Sequence, residues 1–258
     1  MCTLTLAWQV FDDAPVAVAA NRDEALERPS SPPDVYREEP LVIAPRDTDA
    51  GGTWIGYNEH GVFAGITNRW TGAELAGDRS RGLLVGDVLE AESATEAART
   101  IEATTDEHEY DGFNLVVADA ERAFCDTWDG RLERREFEPG VHVVVNVAVD
   151  DLVDVPPTRP DAARAQAANA RAVREELAVD STESVDEWLE RAGDVLGDHE
   201  YGVCIHRDGF GTRSSSIIAL GESPTYRFAD GPPCRTPYED VSLDRERDGP
   251  SGDREGHI

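Results

Sequence analysis

The sequence predicts an α+β chain in which two stacked β-sheets lie between two helical layers. Three observations carry this prediction. The elements read from the residue pattern run strands, two helices, strands, two helices, strands. Neither a repeating period nor a long linker separates them, so strands must pair across the helical blocks. And 40% of the 258 residues are apolar, enough to bury a substantial core. A four-layer αββα sandwich satisfies all three, with one domain expected over residues 1–238.

Thr3-Leu4-Thr5-Leu6 alternates as a strand, and Pro15 to Ala20 is a second apolar run after the turn-like Asp12-Asp13-Ala14. The Pro- and Ser-rich stretch Arg28 to Asp34 reads as a loop. Gly52 to Asn58 and Gly61 to Asn68 read as a hairpin across Glu59-His60. Helical patterning begins near Ser80, with Leu84, Val85, Val88 and Leu89 on one face, and Ser93 with Glu96 opens a second helix to about Ala103. Strands are expected at Phe113 to Ala118, Ala123 to Trp128 and His142 to Val149. After Pro156, Pro157 and Pro160 comes a helix from about Asp161 to Ala178, then one capped by Ser184 with Glu187. Tyr201 to His206, Thr212 to Leu220 and Thr225 to Ala229 complete the strands. Residues 239–258 are charged and apolar-poor and read as a frayed tail.

The charge is extreme. Against 53 Asp and Glu stand 24 basic residues, every one an Arg, for a net charge of −29. Such a surface repels phosphates and anionic lipid heads, which argues against nucleic-acid and membrane-surface partners and for a small-molecule substrate or ligand. It also suits a salty solvent, because at molar salt the Debye length falls to about 3 Å. No stretch approaches the ~20 apolar residues of a membrane helix, so no membrane insertion is expected. The first residues carry neither a basic leader nor a sustained apolar run, and a cytoplasmic location is the expectation. Cys2, Cys125, Cys204 and Cys234 fit no close-paired zinc spacing, and the six histidines form no metal signature, so no metal is expected. His206 follows Cys204 by two on an expected strand; that pair is left unassigned.

Cys2 is the most informative position. Once Met1 is removed, its thiol and α-amine share one carbon skeleton. An α-amine titrates at ~7.7–8.0 and serves as a base near neutrality, beside a nucleophilic thiol. On position alone, a small apolar residue opening an edge strand is the simpler reading. Asn21-Arg22-Asp23-Glu24 shifts the balance. If the first two strands form a hairpin, the end of the second lies beside the start of the first, which brings Asn21 and Asp23 within reach of Cys2. Asn146, placed at the centre of the apolar run 142–149, is costly to bury unpaired and reads equally as a structural amide or an oxyanion donor. Asn68 and Arg213, at or near strand ends, are candidates for the same pocket or for surface contacts. Gly51-Gly52 reads as a turn or a close approach to a ligand.

These motifs resemble the NRDE family, the family of transport and Golgi organization protein 2. The resemblance rests on Met1-Cys2, Asn21-Arg22-Asp23-Glu24, Arg28-Pro29-Ser30, Gly51-Gly52-Thr53-Trp54-Ile55-Gly56, Thr67-Asn68, Arg81-Gly82-Leu83-Leu84-Val85, Gly112-Phe113-Asn114-Leu115 and Gly211-Thr212-Arg213-Ser214, in this order up to about Arg227. It implies a fold similar to the N-terminal nucleophile hydrolases, whose choloylglycine and penicillin acylases cut a carbon–nitrogen amide bond with an N-terminal Cys. By that resemblance Cys2 is the nucleophile, Asp23 orients its amine and Asn146 helps bind the oxyanion; Asn21, Arg22, Asn68 and Arg213 are the candidate substrate-binding residues beside them. Those acylases place an Arg a few residues before the aspartate; here that position is Ala20 and the guanidinium is Arg22. The family is also linked to haem trafficking, so a haem or apolar-ligand carrier is the competing expectation, with Trp54, Trp70 and Phe113 as its aromatic surface and no other cofactor implied.

The charge carries a prediction of its own. Melting temperature should rise from low salt to molar potassium chloride, most steeply at the low end where screening changes fastest. Mild acidification should partly mimic salt by neutralising surface carboxylates. A melting series that is flat or falling with salt would remove the halophilic reading.

Overall fold

The computed structural model describes residues 2–180 and 182–242. The chain opens with β1 (Thr3–Trp8), β2 (Val16–Ala25), β3 (Ser30–Glu38), β4 (Leu41–Asp47), β5 (Ile55–Asn58) and β6 (Phe63–Asn68). Helices α1 (Arg81–Val88) and α2 (Ala94–Glu107) follow. Next come β7 (Phe113–Ala118), β8 (Ala123–Trp128), β9 (Leu132–Glu136), β10 (Gly140–Val145), β11 (Ala148–Val149) and β12 (Leu152–Val153). Helices α3 (Pro160–Glu176) and α4 (Val185–Gly197) lead to β13 (His206–Arg207), β14 (Phe210–Leu220), β15 (Thr225–Ala229) and β16 (Glu239–Asp240).

All pairings are antiparallel. One sheet has the order β12-β11-β10-β1-β2-β14-β15-β16, with β13 paired to β14; the other runs β3-β4-β5-β6-β7-β8-β9. Strand alternation builds the layers. In β2, Val16 and Val18 point between the sheets, where they meet Leu4, Leu6, Phe63 and Ile218. Ala17 and Ala19 point the other way, under Trp188 and Leu189 of α4 and Ala170 of α3. The small alanines let the helices lie close to the sheet. On the far side, Ala64, Leu115 and Phe124 pack beneath Leu84, Val85 and Ile101 of α1 and α2. The four-layer αββα sandwich expected from element order is the observed architecture.

Helix starts follow their caps. Ser184 and Glu187 form the reciprocal capping box, with each side chain taking the other's backbone N–H. At α2, Ser93 accepts from the N–H of Glu96, but the Glu96 carboxylate reaches Glu92 instead, so that box is only half built. The helix also runs four residues past the expected Ala103.

Several expectations change. Arg28 to Asp34 is no loop: from Ser30 it becomes β3, which tolerates Pro32 and Pro33 because it is a sheet edge with irregular register. β4 and β9 went unanticipated; β9 reads Leu-Glu-Arg-Arg-Glu on another edge and has no core-facing alternation. The run 142–149 is not one strand, since a two-residue turn at Asn146-Val147 folds β10 back onto β11. Tyr201 to His206 is mostly a single 3-10 turn, His199–Tyr201, and irregular chain. Pairing continues past residue 238, because Glu239 and Asp240 pair with Phe228 and Arg227. The rest of the expected tail, 243–258, lies outside the described residues.

The Gly51-Gly52 pair resolves into two roles. Gly51 sits at φ +74° with open space around it and serves the turn. Gly52 instead lies on the backbone of Gly82 at the start of α1, where a Cβ would come 2.3 Å from the Gly82 carbonyl carbon. The close approach is therefore to a helix. It lets the Thr53 N–H donate to the Gly82 carbonyl at 3.0 Å. Gly51→Ala should cost about 1–2 kcal/mol, the penalty of a left-handed backbone. Gly52→Ala should cost about 3 kcal/mol or more, because backbone would have to move. Equal shifts in urea midpoint for the two variants would contradict this assignment.

Candidate active site

The register of β1 builds the site. β1 is flanked by β10 and β2, pairing Thr3 with Val145 on one side and with Asn21 on the other. Residue 2 therefore emerges between the turn after β10 and the polar end of β2. The main-chain N–H of Cys2 donates to Asn146 Oδ1 at 3.2 Å, and its Sγ lies 3.7 Å from the Asp23 carbonyl oxygen. β2 does not stop at Ala20. It continues through Asn21-Arg22-Asp23-Glu24 because β14 pairs with it as far as Ala25, so a polar stretch is held as strand by its neighbour's backbone.

Asn146 is buried and well satisfied. Its Oδ1 also accepts from Gln166 Nε2 of α3 at 2.8 Å, and its Nδ2 donates to the Asn68 carbonyl at 2.5 Å. This set of partners fixes which end of the amide is which. Asp23 takes the hydroxyl proton of Thr212 at 2.6 Å, and that hydroxyl accepts the Ile205 N–H at 2.8 Å. Burial pushes the Asp23 carboxyl up to about 6, against the lowering effect of the Thr212 hydrogen bond. Burial likewise raises the Cys2 thiol, so near neutrality it holds its proton until a base removes it.

A cavity of about 100 Å³ opens beside Cys2, lined by Arg22, Asp23, Trp54, Asn68 and Arg81 among others. Its charged lining is balanced, with Arg22, Arg28 and Arg81 set against Asp23, Glu24 and Asp47. Arg22 is buried, with its guanidinium carbon 4.1 Å from the centre of the Trp54 ring. Its Nη2 lies 3.4 Å from Asp47 Oδ2, which also takes Arg28 Nε at 2.6 Å. Burial works against ionisation of Asp47, but Arg28, the Ala50 N–H and Arg22 outweigh it and hold the carboxyl below its usual range. Arg22 Nη1 is buried and has no hydrogen-bond partner among the described residues. Arg81 donates to the Gly112 carbonyl at 2.8 Å, and burial lowers both it and Arg22, as expected for cations drawn out of water.

Of the residues singled out in the sequence, Cys2, Arg22, Asp23 and Asn68 line this cavity, and Asn146 accepts the Cys2 N–H. Two do not reach it as expected. Asn21 points to the opposite face from Arg22, where its amide donates to the carbonyls of Leu196 and Val203 and ties α4 to the sheet. Arg213 sits at the irregularity of β14 between Thr212 and Ser214 and reaches the Arg28 carbonyl, away from the cavity lining. Asn146 occupies a turn, not a strand centre. The expected aromatic surface also dissolves: Trp54 lines the Cys2 cavity, Trp70 borders another, and Phe113 is fully buried beside Tyr110 and Trp128. Sequence reading missed Thr212, Gln166, Asp47 and Arg81 as site residues. Arg81 and Thr212 lie inside quoted motifs, whereas Gln166 had no signal, being one polar residue in an Ala-rich helix.

Asp23 gives the site a pH signature. Its folded pKa of about 6 exceeds the unfolded value near 3.9, so the native state holds a proton that the unfolded chain has lost between those values. The stability it contributes is complete below about pH 4 and is lost as pH rises through 6. Relative to Asp23→Asn, the wild type should lose about 2 kcal/mol between pH 4 and 7, read from urea midpoints. A constant difference between the two proteins would contradict the raised carboxyl.

Comparison with known proteins agrees with the fold. The chain is 28% identical to the transport and Golgi organization protein 2 homolog of Bos taurus over 252 residues, 85% of this chain and 90% of that protein. It is 32% identical to the Mus musculus homolog over 119 residues, a match covering 42% of this chain and 43% of that one. Among solved structures, penicillin V acylase from Agrobacterium tumefaciens superposes with a TM-score of 0.56 at 15% identity, covering 89% of this chain and 83% of the acylase. The Caenorhabditis elegans ortholog of N-acylethanolamine-hydrolyzing acid amidase gives 0.56 at 14% identity, covering 86% of this chain and 95% of that one. The conjugated bile acid hydrolase of Clostridium perfringens gives 0.52 at 11%, covering 95% and 93%. These neighbours establish the N-terminal nucleophile hydrolase fold. The family model for transport and Golgi organisation 2 matches residues 1–231, and the chain belongs to that family.

Proposed function

We propose that the chain is a hydrolase of linear amide bonds, with Cys2 as nucleophile once Met1 has been removed. The observation that carries this reading is the bracketing of residue 2: its nitrogen on Asn146 Oδ1 and its sulfur at the Asp23 end of β2, beside the cavity. The freed α-amine takes the thiol proton, which the buried thiol does not lose unaided. The thiolate attacks the amide carbon, and Asn146, whose Nδ2 keeps a second N–H beyond the one given to Asn68, donates to the developing oxyanion. Collapse breaks the C–N bond, the amine leaves with the proton from the α-ammonium, and water then cleaves the thioester to release acid and thiol. Asp23 and Thr212 act on the amine's orientation and charge.

The cavity holds only a few non-hydrogen atoms, so the reacting amide enters and the remainder of the substrate stays outside. Arg22, Arg28 and Arg81 in the lining offer guanidiniums to an acyl amide that carries a carboxylate or another anionic group, against the opposing charge of Asp23, Glu24 and Asp47.

Intact-mass analysis and turnover of an acyl-amide panel at high salt test this. The expected result is loss of Met1, thioester labelling at Cys2, and activity abolished by Cys2→Ala and by Cys2→Ser. Asn146→Ala should lower kcat by about 10²–10³. Arg22→Ala should lose the preference for anionic amides over neutral ones. Retention of Met1 in active protein, or turnover surviving Cys2→Ala, would end the proposal.

A further inference from the structure

The histidines and cysteines that show no metal signature along the sequence acquire one in three dimensions. One ligand atom from each of His199, Cys204, His206 and Cys234 falls within a single group, all within 4.8 Å of one another. His206 Nε2 lies 3.5 Å from Cys204 Sγ and 3.2 Å from Cys234 Sγ. The rings of His199 and His206 meet edge to face at 5.2 Å. Ligand bonds of ~2.0–2.3 Å set around a tetrahedral ion place neighbouring ligand atoms roughly 3.3–3.8 Å apart, so this group needs only small side-chain rotations to close on one.

We propose that these four residues bind one zinc ion as a structural Cys2His2 site. Two thiols and two neutral imidazoles form a soft, tetrahedral S2N2 set, the set that selects zinc over harder cations. Binding releases the two thiol protons, and the two thiolates balance the dication. With four protein ligands no position is left open for a substrate, so the ion acts as a staple rather than a catalyst.

The backbone has already arranged the ligands. His199 starts the 3-10 turn, which the Gly202 N–H closes on its carbonyl at 3.1 Å. Cys204 and His206 flank Ile205, whose N–H and carbonyl are both taken by Thr212. Beside Cys234, the N–H groups of Arg235 and Thr236 both close on the Pro232 carbonyl at 3.0 Å. Arg235 Nη2 now donates to His206 Nδ1 at 2.7 Å. A metal on Nε2 moves the ring proton to Nδ1 and displaces that exposed guanidinium. The staple would join the end of α4, the β13–β14 hairpin and the loop before β16, and it would hold Ile205 where Thr212 pairs with it while donating its hydroxyl hydrogen bond to Asp23.

The test uses the full chain purified under reducing conditions and loaded with zinc or with cobalt(II). The expected result is one ion per chain by elemental analysis. The cobalt form should show tetrahedral ligand-field bands with a thiolate-to-cobalt charge-transfer band. Cys234→Ser, at an exposed position, should keep the wild-type circular dichroism, lose the charge-transfer intensity of one thiolate, and bind zinc more weakly by over about 100-fold, beyond what an outer-shell change costs. His206→Ala should weaken binding similarly. Cys2→Ser should leave the cobalt spectrum unchanged, separating this site from the proposed nucleophile. Substoichiometric metal, a cobalt spectrum without the charge-transfer band, or a mass showing Cys204 and Cys234 joined as a disulfide would overturn the proposal, as would bands that vanish with Cys2→Ser.

Discussion

The antiparallel register of β1 between β10 and β2 is the constraint on which the candidate active site depends. Because Thr3 pairs with both Val145 and Asn21, residue 2 leaves the sheet where two polar ends converge. Slipping either pairing by one residue would turn Leu4 and Leu6 away from the core between the sheets and carry Cys2 away from Asn146 and Asp23. Hydrophobic burial and site assembly are thus enforced by the same ladder of hydrogen bonds. The apolar alternation that specifies the register also places the chemistry.

A second constraint crosses the sheets. Arg22 leaves β2 and meets Asp47 at the end of β4, where Arg28 completes the cluster. Buried charges of this kind add little net stability over apolar packing, but loss of one partner strands the others. Here Asp47 lies against two guanidiniums, and Asp23, Glu24 and Arg81 share the same lining, so three cations and three carboxylates meet at the cavity of an acidic molecule. Gly52 and Gly82 bring the opposite wall close by letting backbone rest on backbone. The cavity is shaped as much by the absence of two side chains as by those that line it.

Much of this was legible in advance where periodicity is strong. The Ser184 capping box, the 113–118 and 123–128 strands and the hairpin ending at Asn68 lie where alternation and caps place them. β3 and β9 were hidden because edge strands need no continuous apolar face; prolines and charges there are a defence against further pairing. Asn146 was misplaced for a related reason. Val143 to Ala148 is apolar apart from Asn146, and a turn inside a buried segment carries no polar signature beyond that asparagine.

Taken alone, the sequence determined the layered αββα order, the family resemblance and the pairing of Cys2 with the Asn-Arg-Asp-Glu stretch, because each rests on local periodicity or on neighbouring strands. It also determined the acidic surface, which is a matter of counting. Only the tertiary structure decided that Asn21 faces the helices while Arg22 faces the cavity, that Arg213 stands apart, and that Gln166 and Thr212 support the two ends of residue 2. It alone gathered His199, Cys204, His206 and Cys234. The reason is sequence separation: most of these contacts span from tens to almost two hundred residues, and no spacing along the chain records which distant strands or loops end side by side.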